Sequence, residues 1–101
     1  MDPERISDFN ISDVVISTAG RDKDDLFYVI GTDPVYLTLA NGKDRTLEKP
    51  KLKKRKHIQK VLRSETRVAE KLRNGDKVLN SELRRDLAYF SRDMQSNNLE
   101  V

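Results

Sequence analysis

Residues 13–42, DVVISTAGRDKDDLFYVIGTDPVYLTLANG, decide the fold class of this chain. Apolar, β-branched and aromatic residues recur with a period of two in short runs bounded by turn formers, which is the pattern of strands rather than helices. Three strands are expected: one through Val14, Val15, Ile16 and Ser17, a second through Phe27, Tyr28, Val29 and Ile30, and a third from Val35 to Leu39. In the third, Val35, Leu37 and Leu39 share one face. Gly20 can supply the positive φ of the bend between the first two strands, and Thr32-Asp33-Pro34 makes the next turn. Asn41-Gly42 is the strongest hairpin signal, because both positions tolerate the left-handed conformation of a type I′ turn, and it predicts a fourth strand near Arg45 to Glu48. Pro50 cannot donate a ladder hydrogen bond, so it ends that strand or sits on an edge. His57 to Val61 is expected to be a short fifth strand.

After Val61 the period changes from two to 3.6. Ser64 or Thr66 can cap a helix through about Arg73, with Val68 and Leu72 on one face and Asn74-Gly75 as its stop. Asn80 or Ser81 caps a second helix in which Leu83, Leu87, Phe90 and Met94 form an apolar stripe. That stripe is either core, packed on the strands or on the other helix, or a face for a partner. The tail from Gln95 to Val101 is expected to fray. Five short antiparallel strands within about 50 residues favour a small closed or nearly closed barrel, since closure removes aggregation-prone edges. The expected organisation is an N-terminal extension over 1–12, a barrel over 13–62 and a C-terminal helix pair over 63–101.

With 101 residues, 36% hydrophobic and 37% charged, the chain suits one small domain or a smaller one with an appendage. A chain this short buries roughly 60–65% of its unfolded surface, which leaves little for a deep substrate cleft. It has no Cys, which excludes disulfides, thiolate nucleophiles and Cys-type zinc sites. No apolar run approaches the roughly 18 residues of a membrane span. The acidic start Met1-Asp2-Pro3-Glu4-Arg5 does not resemble a signal peptide, and a cytoplasmic location is expected.

The net charge is +3, but it is unevenly placed. Residues 1–42 carry three basic and eight acidic side chains, residues 43–63 ten basic and two acidic, and residues 64–101 seven of each. The basic segment centres on Lys51-Leu52-Lys53-Lys54-Arg55-Lys56, a density at which the side chains repel one another unless solvent or an anionic partner absorbs the field. Such a run is either a solvated face or a polyanion contact. Catalysis has little to draw on. His57 lies among cations with no nucleophile or orienting partner to name, and the spacing of Asp22, Asp24 and Asp25 lacks the later ligands of a calcium loop, so a solvated loop tip is expected there. The four glycines are too scattered to form a phosphate cradle. No enzymatic role, cofactor or metal is expected. Exposed aromatics could add base stacking: Phe27 is expected in the core, while Tyr28 and Tyr36 are the candidates to point outward.

The stretch Val14-Val15-Ile16-Ser17-Thr18-Ala19-Gly20-Arg21-Asp22-Lys23, followed by Phe27-Tyr28-Val29-Ile30-Gly31, resembles a KOW motif with Gly20 as its central glycine. Ala40-Asn41-Gly42-Lys43, Leu47-Glu48-Lys49-Pro50-Lys51 and Lys56-His57-Ile58-Gln59 then resemble the small bacterial KOW-domain RNA-binding proteins, relatives of the eukaryotic-type large-subunit ribosomal protein fourteen family. The resemblance spans about Ile11 to Val61. It implies a Src-homology-3-like barrel, RNA binding, and association with the ribosome or ribosomal RNA. It also implies that Gly20 sits at the central bend and that Arg21 and Lys23 lie in a loop turned toward RNA, although Asp24 and Asp25 stand where Gly and Lys would be expected. Clustering of charge adds Lys43, Arg45, Lys49, Lys51, Lys53, Lys54, Arg55 and Lys56 as candidate phosphate contacts. The alternative is a protein-interaction adaptor that docks a ribosomal or transcription protein through the barrel and the Leu83, Leu87, Phe90 and Met94 stripe.

Overall fold

The computed structural model describes residues 9–100, the last six of them as backbone only. Most of the expected N-terminal extension lies outside the described residues. The chain forms β1 (Asp13–Ser17), β2 (Leu26–Thr32), β3 (Tyr36–Ala40), β4 (Lys51–Lys54), a one-turn 3-10 helix (Arg55–His57), β5 (Ile58–Arg63), α1 (Arg67–Asn74) and α2 (Asn80–Glu100). All five strands join one antiparallel sheet in the order β4-β3-β2-β1-β5.

The period-two pattern sorts side chains onto two faces, and each face buries its own core. Val15, Phe27, Val29, Leu37, Leu39 and Ile58 form the inner cluster. It unites β3 with β5, which are separated by two strands in the sheet, so the sheet must curl on itself to bring them together. Val14, Tyr28 and Ala40 point outward and pack against Val68 of α1 and Leu83, Leu87 and Phe90 of α2. The apolar stripe of α2 is therefore core through its first three members, all buried, and offers no open partner face there. Met94 is half-buried. Fully burying a side chain of this size contributes about 1.5–3 kcal/mol, which is why the helices hold to the sheet.

The curl stops short of the expected closure. No ladder joins β4 to β5, and the 3-10 turn bridges them instead. It is tied down on both sides, with Arg55 N–H donating to the Val35 carbonyl and Thr18 N–H donating to the His57 carbonyl, each at 2.9 Å. The fifth strand begins one residue later than expected and runs on to Arg63. The third is displaced by one residue, so Val35 lies outside the strand and is exposed.

The fourth strand is the larger correction. Residues 45–48 are not a strand, and β4 begins after Pro50. Asn41 explains this, because its side-chain Oδ1 accepts from the N–H groups of both Lys43 and Arg45 at 2.9 Å, wrapping the chain around the side chain instead of turning in two residues. The rest of the loop is spent on α2. Leu47 N–H donates to Asn80 Oδ1 at 2.8 Å, Asn80 Nδ2 donates to Glu48, and the Arg84 guanidinium donates to the Gly42 carbonyl at 2.6 Å.

The first helix starts and stops on local signals, whereas Asn80 and Ser81, expected to cap the second, lie inside α2, and the Asn80 side chain bonds Leu47 and Glu48 instead. Thr66 caps α1, its Oγ1 accepting from Ala69 N–H, and Gly75 ends it at φ +77. Lys71 and Glu82 pair across the two helices at 2.9 Å. The backbone of α2 continues to Glu100, through the segment expected to fray. Tyr28 corrects another expectation: it is fully buried, with its hydroxyl donating to Asp86 Oδ2 at 2.7 Å and lying 2.9 Å from Ser64 Oγ. Thr66 Oγ1 also donates to Asp86, so this network joins β2, the entry to α1 and α2 at one point. Burial pushes the phenol up to about 12, with Ser64 and Thr66 opposing and Asp86 adding to the shift.

Candidate nucleic-acid interface

The basic segment is a strand rather than a loop, and strand geometry divides it. In β4, Lys51 and Lys53 point to the inner side of the curl while Leu52 and Lys54 point outward. The inner pair meets Asp22. Lys51 Nζ lies 2.8 Å from Asp22 Oδ2, and Lys53 Nζ lies 2.6 Å from Asp22 Oδ1 and 2.6 Å from the carbonyl of Ala19. Ser17 Oγ donates to the same carboxylate at 2.8 Å. Burial opposes ionisation of Asp22, but hydrogen bonds from Lys51, Lys53 and Ser17 outweigh it and hold the carboxyl well below the usual carboxylate range.

Asp22 is therefore no solvated loop tip, unlike its exposed neighbours Asp24 and Asp25. It turns inward and pins the β1–β2 loop to the edge strand. Gly20, at φ +86, gives that loop its bend, and a Cβ there would press on Lys53 Nζ. Lys51 and Lys53 are committed to an internal anion, which removes them from the set of open phosphate ligands.

The remaining cations fall into two groups. Arg21 and Arg45 line a groove of about 200 Å³ beside the already paired Lys51, but Asp22, Asp25 and Asp44 line it too. Lys43 borders a second groove in which Asp24, Asp25 and Asp44 outnumber it and Arg84. Lys23 is exposed on the same loop as Asp24 and Asp25. At this end of the molecule acidic groups offset the basic ones. Toward the other end of β4, Lys54 and Lys56 are exposed, as is Lys49 in the loop before the strand, and none of the three makes an ion pair among the described residues. Arg55 serves structure there: its Nε donates to the Asp33 carbonyl at 2.8 Å and its guanidinium lies over the Phe9 ring. His57 is half-buried.

Two participants were not anticipated from sequence. Asp22 acts as the internal counterion, and Leu52 is an exposed apolar residue between lysines. Reading Lys51 to Lys54 with a period of two would have put Lys51 and Lys53 on one face and exposed the question of what faces them. Among the described residues, no group of three or more His, Asp or Glu side chains could hold a metal ion, and no helix is long and apolar enough to cross a membrane. No family model matches the chain, and no curated protein matches its sequence.

Proposed function

We propose that this protein binds structured RNA, with ribosomal RNA as the target, through the edge formed by β4 and the 3-10 turn. The observation that carries the reading is the division of the basic segment into an inner pair that shares Asp22 as its counterion and an outer set, Lys49, Lys54 and Lys56, left exposed. Three ammonium groups within eight residues, Lys49 in the loop before β4, Lys54 on the strand and Lys56 on the 3-10 turn, can displace counterions from a phosphate backbone without reading its sequence. The KOW resemblance of residues 11–61 points to the same partner. The acidic groups around the two grooves favour the Lys54 and Lys56 end, because a polyanion is repelled from Asp24, Asp25 and Asp44. Of the surfaces the adaptor reading calls on, the helix stripe is not open, since Leu83, Leu87 and Phe90 are buried against the sheet.

The test is the salt dependence of binding to a ribosomal RNA fragment. Each phosphate contact on a duplex contributes about 0.9 to the slope of log affinity against log salt, so replacing Lys49, Lys54 and Lys56 with Ser should flatten that slope by roughly 2–3. The double replacement of Lys51 and Lys53 should flatten it less. An outer-set variant with unchanged slope and affinity would make these lysines a solvated face. Ultraviolet crosslinking in native cells then tests the target: crosslinks concentrated on one ribosomal RNA region support it, and crosslinks scattered over unrelated RNAs refute it.

A further inference from the structure

The helices cover only part of the outer face of the sheet. Tyr28 and Ala40 lie under them, but further along the same face Tyr36, Thr38, Leu52 and Lys54 form a surface that α1 and α2 do not reach. Tyr36 stands directly across from Lys54, and Thr38 across from Leu52, so all four side chains share one face. Leu52 is 63% exposed and Tyr36 37% exposed. Gly31 on the neighbouring strand opposes Thr38, and a Cβ there would press on the Thr38 side chain, so this side of the platform carries no projecting group.

Tyr36 is held in place from behind. The Asp33 carboxylate accepts from the N–H groups of Tyr36 at 2.7 Å and Val35 at 2.8 Å, and these bonds keep its carboxyl below the ordinary range. Asp33 N–H donates to the Tyr36 carbonyl, and Arg55 ties the same turn through the carbonyls of Asp33 and Val35. The ring is thus displayed on a braced turn, with an aliphatic side chain diagonal to it and a cation opposite.

We propose that this surface is a stacking platform for an unpaired RNA base, with Tyr36 as the stacking residue, Leu52 as its apolar extension and Lys54 on the adjoining phosphate. The proposal rests on the RNA-binding reading and narrows its substrate to RNA with an unpaired nucleotide in a loop or bulge. The occupant follows from charge and shape. A base has a flat apolar face that a phenol can cover, and its phosphate matches the lysine that adjoins the ring, whereas a paired helix offers no free base face.

The experiment compares two RNAs of equal length, a hairpin with one bulged 2-aminopurine and its fully paired counterpart, against the wild-type chain, Tyr36→Phe, Tyr36→Thr and the Lys54→Ser/Lys56→Ser double variant. The wild type and Tyr36→Phe should bind the bulged RNA more tightly and change the 2-aminopurine fluorescence on binding. Tyr36→Thr, which keeps a β-branched residue in the strand, should lose about tenfold in affinity for the bulged RNA and leave the paired RNA unaffected. The lysine variant should weaken both. If the wild type binds both RNAs equally and without a fluorescence change, or if Tyr36→Thr matches the wild type, the platform is refuted while RNA binding stands. If the wild type binds neither RNA, both readings fall. The fluorescence arm decides the matter on the wild type even if Tyr36→Thr does not fold.

Discussion

Asp22 Oδ1 and Lys53 Nζ lie 2.6 Å apart, joining the β1–β2 loop to the edge strand of the sheet. The pair does two things at once. It anchors a loop that would otherwise hang from two strands, and the Asp22 carboxylate, shared with Lys51, offsets one of the two positive charges it holds. A half-buried carboxylate shared by two ammonium groups and a hydroxyl is a strong local constraint, because removing the acid would leave two cations crowded without an anion.

Replacing Asp22 with Asn should therefore destabilise the protein by about 2 kcal/mol. Because the carboxyl is held below its ordinary value, its contribution is complete above the unfolded carboxylate range, near pH 4, and is lost as pH falls toward the folded value. Thermal unfolding followed from neutral to acid pH should show the Asp22→Asn deficit shrinking below about pH 4. A deficit that stays constant with pH would mean that the carboxylate charge is not what holds the loop. The same variant frees Lys51 and Lys53, so its RNA affinity should rise and its salt slope steepen.

Tyr28→Phe deletes the hydroxyl that links β2 to Asp86 and Ser64 while keeping the ring in the core. A loss of about 1–2 kcal/mol is expected, with a fall in Tm of about 4–8 °C per kcal/mol for a chain of this size. The phenol, pushed up to about 12 by burial, stays neutral in the fold after an unfolded tyrosine has begun to ionise near 10, so folding stability should decline as pH rises through that interval. Tyrosinate absorbance during an alkaline titration checks this. A Tyr28→Phe spectrum that loses no late-titrating component would contradict the burial of that hydroxyl.

Gly42 and Gly75 share the same φ of +77, yet their surroundings differ. A Cβ on Gly42 would collide with the main-chain carbonyl of Asn80, where α2 begins, whereas one on Gly75 meets nothing within 4 Å. Gly75→Ala should cost only the left-handed conformation, about 1–2 kcal/mol. Gly42→Ala adds the displacement of α2 from the loop, for a total of about 3 kcal/mol or more. Chemical denaturation of the two variants side by side distinguishes them, and equal losses would show that the loop does not abut the helix.

Phe90 and Tyr89 are sequence neighbours with opposite fates, one 9% exposed in the outer core and the other 59% exposed. Phe90→Asp should lower stability by more than about 3 kcal/mol through an unpaired buried charge, while Tyr89→Asp should stay within roughly 0.5 kcal/mol of wild type. Differential scanning calorimetry reads both. A stable Phe90→Asp protein would return the α2 stripe to the surface and reopen the adaptor reading.

Much of the architecture was legible because its signals are local. The ends of α1 depend on hydrogen bonds within a few residues, so the stop at Gly75 could be read directly and the cap narrowed to Ser64 or Thr66, of which the fold uses Thr66. The strand at Arg45 to Glu48 was misplaced because Asn41-Gly42 carries two turn chemistries. In this fold the Asn41 side chain organises a longer loop whose remaining N–H and C=O groups bond α2, and nothing near Asn41 in the sequence announces that helix. The candidate site was half legible. Clustering of Lys and Arg identified the segment, but which lysines face outward depends on β4 being a strand and on what lies across from it.

By itself, the sequence determined the order of elements, strands followed by a helix pair, because hydrophobic period and capping are properties of neighbouring residues. Only the tertiary structure decided that the outward-pointing Tyr28 is buried under the helices with its hydroxyl on Asp86, that the sheet stays open between β4 and β5, and that Lys51 and Lys53 share Asp22. The physical reason is the same in each case. A period of two states which residues share a face, but it does not state what that face meets. For Lys53 that partner is Asp22, 31 positions earlier in the chain, brought beside it by the curl of the sheet.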